Sequence, residues 1–259
     1  MSPPASNAPA SGTPMIQVVD LHKTFGDHKV LTGINLTVPA GSTCVILGGS
    51  GSGKTVLMKH MIGLLKPDRG QVIVDGEDIV PMSVESLQRV RNKFGMVFQA
   101  AALFDSMTVF ENVAFPLREH TKDPEDVIRQ KVRARLDLMG LKKDVEDRFP
   151  ADLSGGMRKR VGLARAIVMD PKVVLYDEPT TGLDPITTDY VDEMILAAQK
   201  ELGVTSVVIS HDISSAFNVA DQIAFLSKGV IVASGSPEQL READHPAVKV
   251  FLETWFGKN

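Results

Sequence analysis

Residues 43–55 read TCVILGGSGSGKT, and they organise the chain around them. The first half, TCVILG (43–48), is a continuous apolar run, the pattern of a strand buried on both faces. The second half, GGSGSGKT (48–55), fits G-x-x-x-x-G-K-[ST], and a helical pattern follows from Gly53 to about Leu65. Strand, glycine loop, helix is the context in which that motif cradles phosphates. Gly48, Gly49, Ser50, Gly51, Ser52 and Gly53 offer backbone N–H groups, Lys54 reaches the β- and γ-phosphates, and Thr55 ligates Mg²⁺. Val56 stands where many such loops carry a hydroxyl. The lost α-phosphate contact is worth about 1 kcal/mol at most.

Short β-branched runs alternate with helical patterns on either side. IQVVDL (16–21) and LTGINLTV (31–38) read as antiparallel strands, with PAG (39–41) as a turn. QVIVDG (71–76) and FGMVFQ (94–99) are further strands. After Gln99 the texture changes, and residues 107–170 are mostly helical. Asp123 is expected to cap a helix with Pro124 at its first position. Ile128, Val132, Leu136 and Met139 recur on one face before Gly140 stops it. Strands return with KVVLYD (172–177) and TSVVIS (205–210), with a helix after Asp184–Pro185 between them. QIAFLS and VIVASG form a hairpin around Lys228–Gly229. The expected architecture is an α/β core, 15–99 and 171–235, interrupted by a helical insert. Residues 1–14, uncharged and rich in Pro, Ser and Ala, read as a disordered tail. The C-terminal piece reads as two short helices broken at His245–Pro246. Its Val250, Phe251, Leu252, Trp255 and Phe256 need cover, from a neighbouring subunit or from the chain's own core.

Three further features gather chemistry. VVLYDEP (173–179) ends a buried strand in two carboxylates, at the sheet edge where ligands of α/β proteins bind. Asp177 is placed to hold Mg²⁺ and Glu178 to act as general base on a water. His211, after TSVVIS, and Gln99, ending FGMVFQ, belong at the same edge, with Gln99 able to reach Mg²⁺ and the attacking water. The third is LSGGM (153–157), where Ser154 caps a helix with bare glycine N–H groups. It is a second anion cradle, about a hundred residues from the first and without a lysine.

Composition removes several classes. The formal charge of −4 gives no global basic field to attract nucleic acid. The single cysteine, Cys44, lies in an apolar run and reads as a buried core thiol, consistent with a reducing compartment. No segment approaches 18 apolar residues, and the N-terminus lacks the charged and apolar regions of a secretory signal.

The order and spacing of GGSGSGKT, Gln99, LSGGM, VVLYDE, TGLD (181–184) and His211 resemble the ATP-binding subunits of ABC transporters, over residues 15–240. The resemblance implies a P-loop NTPase (RecA-like) core, an N-terminal antiparallel β subdomain, an inserted α-helical subdomain at about 100–170, and a C-terminal extension, 241–259. It implies ATP and Mg²⁺ as ligands, and a homodimer in which Ser154, Gly155 and Gly156 touch the γ-phosphate held by the partner's phosphate loop. That accounts for the missing lysine. Asp184 becomes the residue coupling the two sites, and Phe25 the aromatic that stacks on adenine. Met157 departs from the family's usual glutamine and puts one contact to the partner nucleotide in doubt.

RFPADLSGG, FENVAFPLREHT (110–121), LSGGMRKRVGLARAI (153–167) and DPIT (184–187) further resemble the ATPase subunits of Mla-type phospholipid transporters. That resemblance implies a membrane-embedded permease dimer, an MCE-domain protein, a small STAS-domain protein, and a place on the cytoplasmic face of the inner membrane. The permease is expected to press near Gln99 and on Leu103, Phe104, Met107, Val109 and Phe110. Cargo is chosen by the permease, so a small-solute importer remains an alternative. A soluble ABC protein of translation or repair is disfavoured by one cassette without coiled coil or CxxC. A GTPase is disfavoured because NKFG (92–95) is not a guanine-reading N-K-x-D.

Overall fold

A computed structural model describes residues 14–257, without the side chains of 254–256. The expected tail therefore lies outside the described residues, except Pro14, which opens the first strand. In chain order the elements are β1 (Pro14–Phe25), β2 (His28–Pro39), β3 (Thr43–Leu47), α1 (Lys54–Met61), β4 (Arg69–Val74), β5 (Glu77–Asp78), α2 (Val84–Arg91) and β6 (Phe94–Val97). There follow α3 (Val109–His120), α4 (Glu125–Leu138), α5 (Gly155–Ile167), β7 (Val173–Asp177), α6 (Pro185–Leu202), β8 (Thr205–Ser210) and α7 (Ile213–Val219). The chain ends in β9 (Gln222–Ser227), β10 (Val230–Gly235), α8 (Pro237–Arg241) and α9 (Pro246–Phe256).

Two sheets result. The antiparallel sheet has the order β2-β1-β4-β5, and the larger one has the order β10-β9-β3-β8-β7-β6. In the larger sheet β3 pairs in parallel with both β8 and β9, and β7 in parallel with β6 and β8. Period-two alternation divides its strands between two cores. Val45, Leu47, Val174, Tyr176, Val208 and Phe225 face the core built with α3 to α7. Cys44, Ile46, Val173, Leu175, Val207 and Ile209 face the core built with α1 and the antiparallel sheet. Burial on both faces is why these strands read as unbroken apolar runs. It also pushes the Cys44 thiol up to about 12, as fits an inert core residue.

Several expectations need correction. Asp123 does not cap α4: Pro124 takes the cap position with extended backbone, and Asp123 instead pairs with Lys131 at 2.7 Å. The apolar face of α4 is as expected, with Ile128, Val132, Leu136 and Met139 all buried and Gly140 leaving the helix at φ 64°. The strand FGMVFQ stops at Val97, so Gln99 stands in an exposed turn. Helix α1 ends at Met61, short of Leu65. Val109 and Phe110 are buried in the helical core, not offered outward, whereas Phe104 is exposed. Asn112 fixes the segment before α3, donating to the carbonyls of Phe104, Met107 and Thr108. The break at His245–Pro246 is an N-cap, with His245 Nδ1 accepting from Ala247 N. The chain's own core covers part of the tail. Val248 and Leu252 are buried and Phe251 meets the Phe225 ring edge-on at 5.0 Å, while Val250 stays exposed. The side chains of Trp255 and Phe256 lie outside the described residues.

Gly95 seats α5 on β6, since a Cβ there would meet Ala166 O at 2.2 Å. Gly95→Ala should therefore force the helix off the sheet and cost about 1–3 kcal/mol, read as a lower urea unfolding midpoint. An unchanged midpoint would show that this packing gives way freely.

Candidate nucleotide site

Parallel register brings the loops together. Leu47 pairs with Ser210, and Asp177 with Ile209, so β3, β7 and β8 end along one edge. The phosphate loop leaves that edge after Leu47. Its tightness demands glycine at two points: a Cβ on Gly48 would fall 2.2 Å from Leu226 O, and Gly53 sits at φ 107° against Leu31. Lys54 is buried, and its Nζ donates to Gly48 O at 2.8 Å and Gly49 O at 3.1 Å. Ser52 Oγ is buried within the loop without a partner among the described residues. Thr55 is half-buried in the first turn of α1. Val56 packs against the core, and its carbonyl accepts from His60 Nδ1 at 2.7 Å. Its side chain therefore belongs to the scaffold, and only its backbone is in a position to meet a phosphate.

Glu178 stands where this edge faces the loop, with Oε1 3.6 Å from Lys54 Nζ. Its backbone is in the left-handed region, φ 52°, a conformation costing about 1–3 kcal/mol that its surroundings must impose. The bond from Glu178 N to Ile209 O, 2.9 Å, helps to hold it. Oε2 accepts from Thr181 Oγ1 at 2.9 Å and from His211 Nδ1 at 2.6 Å, so that histidine nitrogen carries the proton. Two donors on one oxygen fix the carboxylate's orientation and leave Oε1 turned toward Lys54. Burial, then the neighbouring Glu178 charge, raises the Asp177 pKa, with Lys59 and Lys54 opposing. Gln99 is not brought into this group by any hydrogen bond among the described residues.

Phe25 ends β1 as an exposed ring, 46% accessible, with Lys23 Nζ 5.4 Å from its centroid. It is not a core residue: Lys23 lies over one face, and enough of the ring is accessible to meet a flat partner.

The second cradle lies in another cleft. Ser154, Gly155 and Gly156 line it with Asp184, Thr187 and Tyr190, whereas the phosphate loop borders Phe225, Lys228, Pro246 and Val250. Ser154 caps α5, its Oγ accepting from Met157 N at 3.2 Å, which leaves the hydroxyl hydrogen to donate outward. Met157 is half-buried against the helical core. Asp184 caps α6 in the same way, accepting from Thr187 N at 3.0 Å and Thr187 Oγ1 at 2.6 Å.

Sequence reasoning missed two groups here. Thr181, three residues after Glu178, is one. The other is Lys159, buried on α5, whose Nζ donates to Pro179 O. A signal for Lys159 existed: it precedes Leu163 and Ile167 by four and eight residues, on the face those two bury.

The chain matches the ABC transporter family over residues 31–181. It belongs to that family. As an ABC cassette it binds and hydrolyses ATP. It is 45% identical over 248 residues to the probable ribonucleotide transport ATP-binding protein Mkl of Mycobacterium tuberculosis, covering 95% of this chain and 69% of that one. It is 41% identical over 239 residues to the intermembrane phospholipid transport system ATP-binding protein MlaF of Escherichia coli, covering 92% of this chain and 88% of that one. Among solved structures it superimposes on the ATP-binding cassette MJ0796, a dimer in a post-hydrolysis state with ADP and Pi, with TM-score 0.77 and 29% identity. That match covers 86% of this ABC chain and 99% of the other. Among the described residues, no helix of this ABC protein is long and apolar enough to cross a membrane.

Proposed function

We propose that this ABC ATPase works as a homodimer that drives phospholipid movement between two membranes, with two ATP molecules held between its copies. The observation that carries the dimer is the separation of the two cradles: the phosphate loop, which holds Lys54, borders one cleft, and Ser154 to Gly156, with no lysine beside them, line another. In this reading Gly48 to Lys54 hold the phosphates of one nucleotide and Phe25 stacks on its base. The partner's signature residues, equivalent to Ser154, Gly155 and Gly156, close on the γ-phosphate. Asp184, beside them at the cap of α6, links one site to the other.

Mg²⁺ fits the donor set of a hydroxyl, Thr55, and a carboxylate, Asp177. It is a hard ion that keeps water and phosphate oxygens as its remaining ligands. It supplies neutralisation of phosphate charge when bound. Gln99 stays a candidate ligand from the exposed turn after β6. Glu178 takes the proton of the attacking water, with His211 and Thr181 holding its far oxygen. Lys54 and the donors of the α5 N-terminus stabilise the charge of the transferring group.

The phospholipid reading rests on likeness to MlaF across most of both chains. In this reading residues 15–240 form the ATPase unit, the helical insert at about 100–170 lies within it, and the extension 241–259 follows it. The partners are a permease dimer in the inner membrane, an MCE-domain protein and a small STAS-domain protein, with this chain on the cytoplasmic face. A groove bordered by Phe94, Phe98, Phe104, Phe115 and Arg165 suits the permease. Likeness to Mkl favours a second reading, a nucleotide or other small solute as cargo.

Two experiments test these readings. Ser154→Arg and Lys54→Ala chains should each be inactive, and mixing them should restore hydrolysis, because about a quarter of the composite sites then lack both lesions. Failure to recover activity would place both cradles on one nucleotide of one chain. Tagged protein extracted from native membranes in mild detergent should carry a multi-span permease, an MCE-domain protein and phospholipid, identified by mass spectrometry. A solute-binding protein without retained lipid would overturn the cargo.

A further inference from the structure

Lys159 has no place in the mechanism above, yet it is only 8% exposed. Burial lowers its pKa, and no carboxylate counteracts that effect. A buried ammonium persists only where a polar group holds it. Here the holder is the carbonyl of Pro179, the residue after Glu178. The left-handed Glu178 turn is thus pinned from two sides. Its own N–H is tied to Ile209 O on β8, and the next carbonyl is tied to Lys159 on α5.

The same helix begins at the second cradle. Ser154 caps α5, and Gly155 and Gly156 are its first two residues. Its start also presses on that of α6, where a Cβ on Gly156 would meet Thr187 Cγ2 at 3.1 Å. Little more than one helical turn therefore separates the cradle from the ammonium that grips the general base's turn. A helical turn is stiff, so displacement of the cradle carries Lys159 with it.

We propose that Lys159 is a positioning residue: it transmits the seating of the partner's γ-phosphate on the α5 N-terminus to Glu178 of its own chain, coupling hydrolysis at the two sites of the dimer. This rests on the assignment of Ser154 to Gly156 to the partner's nucleotide. Drawing α5 toward that nucleotide moves Nζ, Nζ moves Pro179 O, and the Glu178 carboxylate turns with its backbone. Lys159 acts through Pro179 O and the Glu178 turn, not on the reacting groups.

The test uses the full chain. Lys159→Met keeps the length of the stem and removes the N–H donors. The ATP KM should stay within about twofold, kcat should fall at least about tenfold, and the Hill coefficient for ATP should drop from above one toward one. In a Glu178→Gln background the same change should produce no further loss, because its route of action is already gone. Lys159→Arg, which keeps donors, should retain at least about a third of kcat. Where Lys159→Met does not fold, Lys159→Gln, whose donor is shorter in reach, carries the same comparison. Unchanged kcat and Hill coefficient, a KM rise matching the loss of kcat, or an equal loss in the Glu178→Gln background would each overturn the proposal. So would a parent Hill coefficient of one, since no coupling then exists to lose. Rescue by mixing Ser154→Arg with Lys54→Ala tells the two failures apart. If rescue occurs and Lys159→Met behaves as the parent, only the Lys159 role falls.

Discussion

The parallel register of β3, β7 and β8 is the constraint on which the site depends. Leu47 opposite Ser210, and Asp177 opposite Ile209, set three loops side by side at one sheet edge. One loop carries Lys54, one Glu178 and one His211. A slip of one residue in any strand would turn its apolar set to the wrong core and withdraw its loop from the others. The two cores on either side, one with α1 and the antiparallel sheet and one with α3 to α7, make that slip costly. Catalytic geometry is thereby inherited from packing: the 3.6 Å approach of Lys54 to Glu178 follows from where β3 and β7 stop.

The site is rigid where chemistry needs orientation and open where a second body must enter. Glu178 is held by Thr181, His211, Ile209 and, through Pro179, Lys159. Phe25 and Ser154, by contrast, are exposed. Exposure of a ring and of a helix N-terminus is unfavourable for an isolated chain but suits surfaces that close on a nucleotide. Ser154 caps its own helix through a lone pair of its hydroxyl and keeps the hydrogen to donate, as the proposed contact to an anion requires.

Much of this was legible in the sequence, for identifiable reasons. The phosphate loop, the VVLYDE strand and the LSGGM helix start declare themselves because glycine, buried β-branched runs and serine caps have few other uses in that order. The face of α4 was legible because four apolar residues kept a helical period. Other features depend on contacts that no local pattern encodes. FGMVFQ is apolar almost throughout and so reads as a strand ending at Gln99, yet the ladder ends at Val97. Val109 and Phe110 were expected at a docking surface, and the capping box of Thr108 and Glu111 turns them into the helical core instead. The sequence pattern does not announce the short helices α2 and α7. Each is at most eight residues and, unlike α8 with its Ser236–Pro237 start, has no proline at its first position to mark it. Lys159 keeps the helical spacing of the buried Leu163 and Ile167, but a lysine in RKR reads as solvated charge until its partner, twenty residues on, is known.

In the proposed dimer the phosphate loop of one chain and the α5 N-terminus of another share one nucleotide. The most direct measurement is a structure of the Glu178→Gln chain with Mg²⁺ and ATP. A two-fold dimer is expected, in which Ser154 of one copy lies within hydrogen-bond distance of the γ-phosphate beside Lys54 of the other. A γ-phosphate contacted by Ser154 and Lys54 of the same chain, or by no signature residue at all, would contradict it.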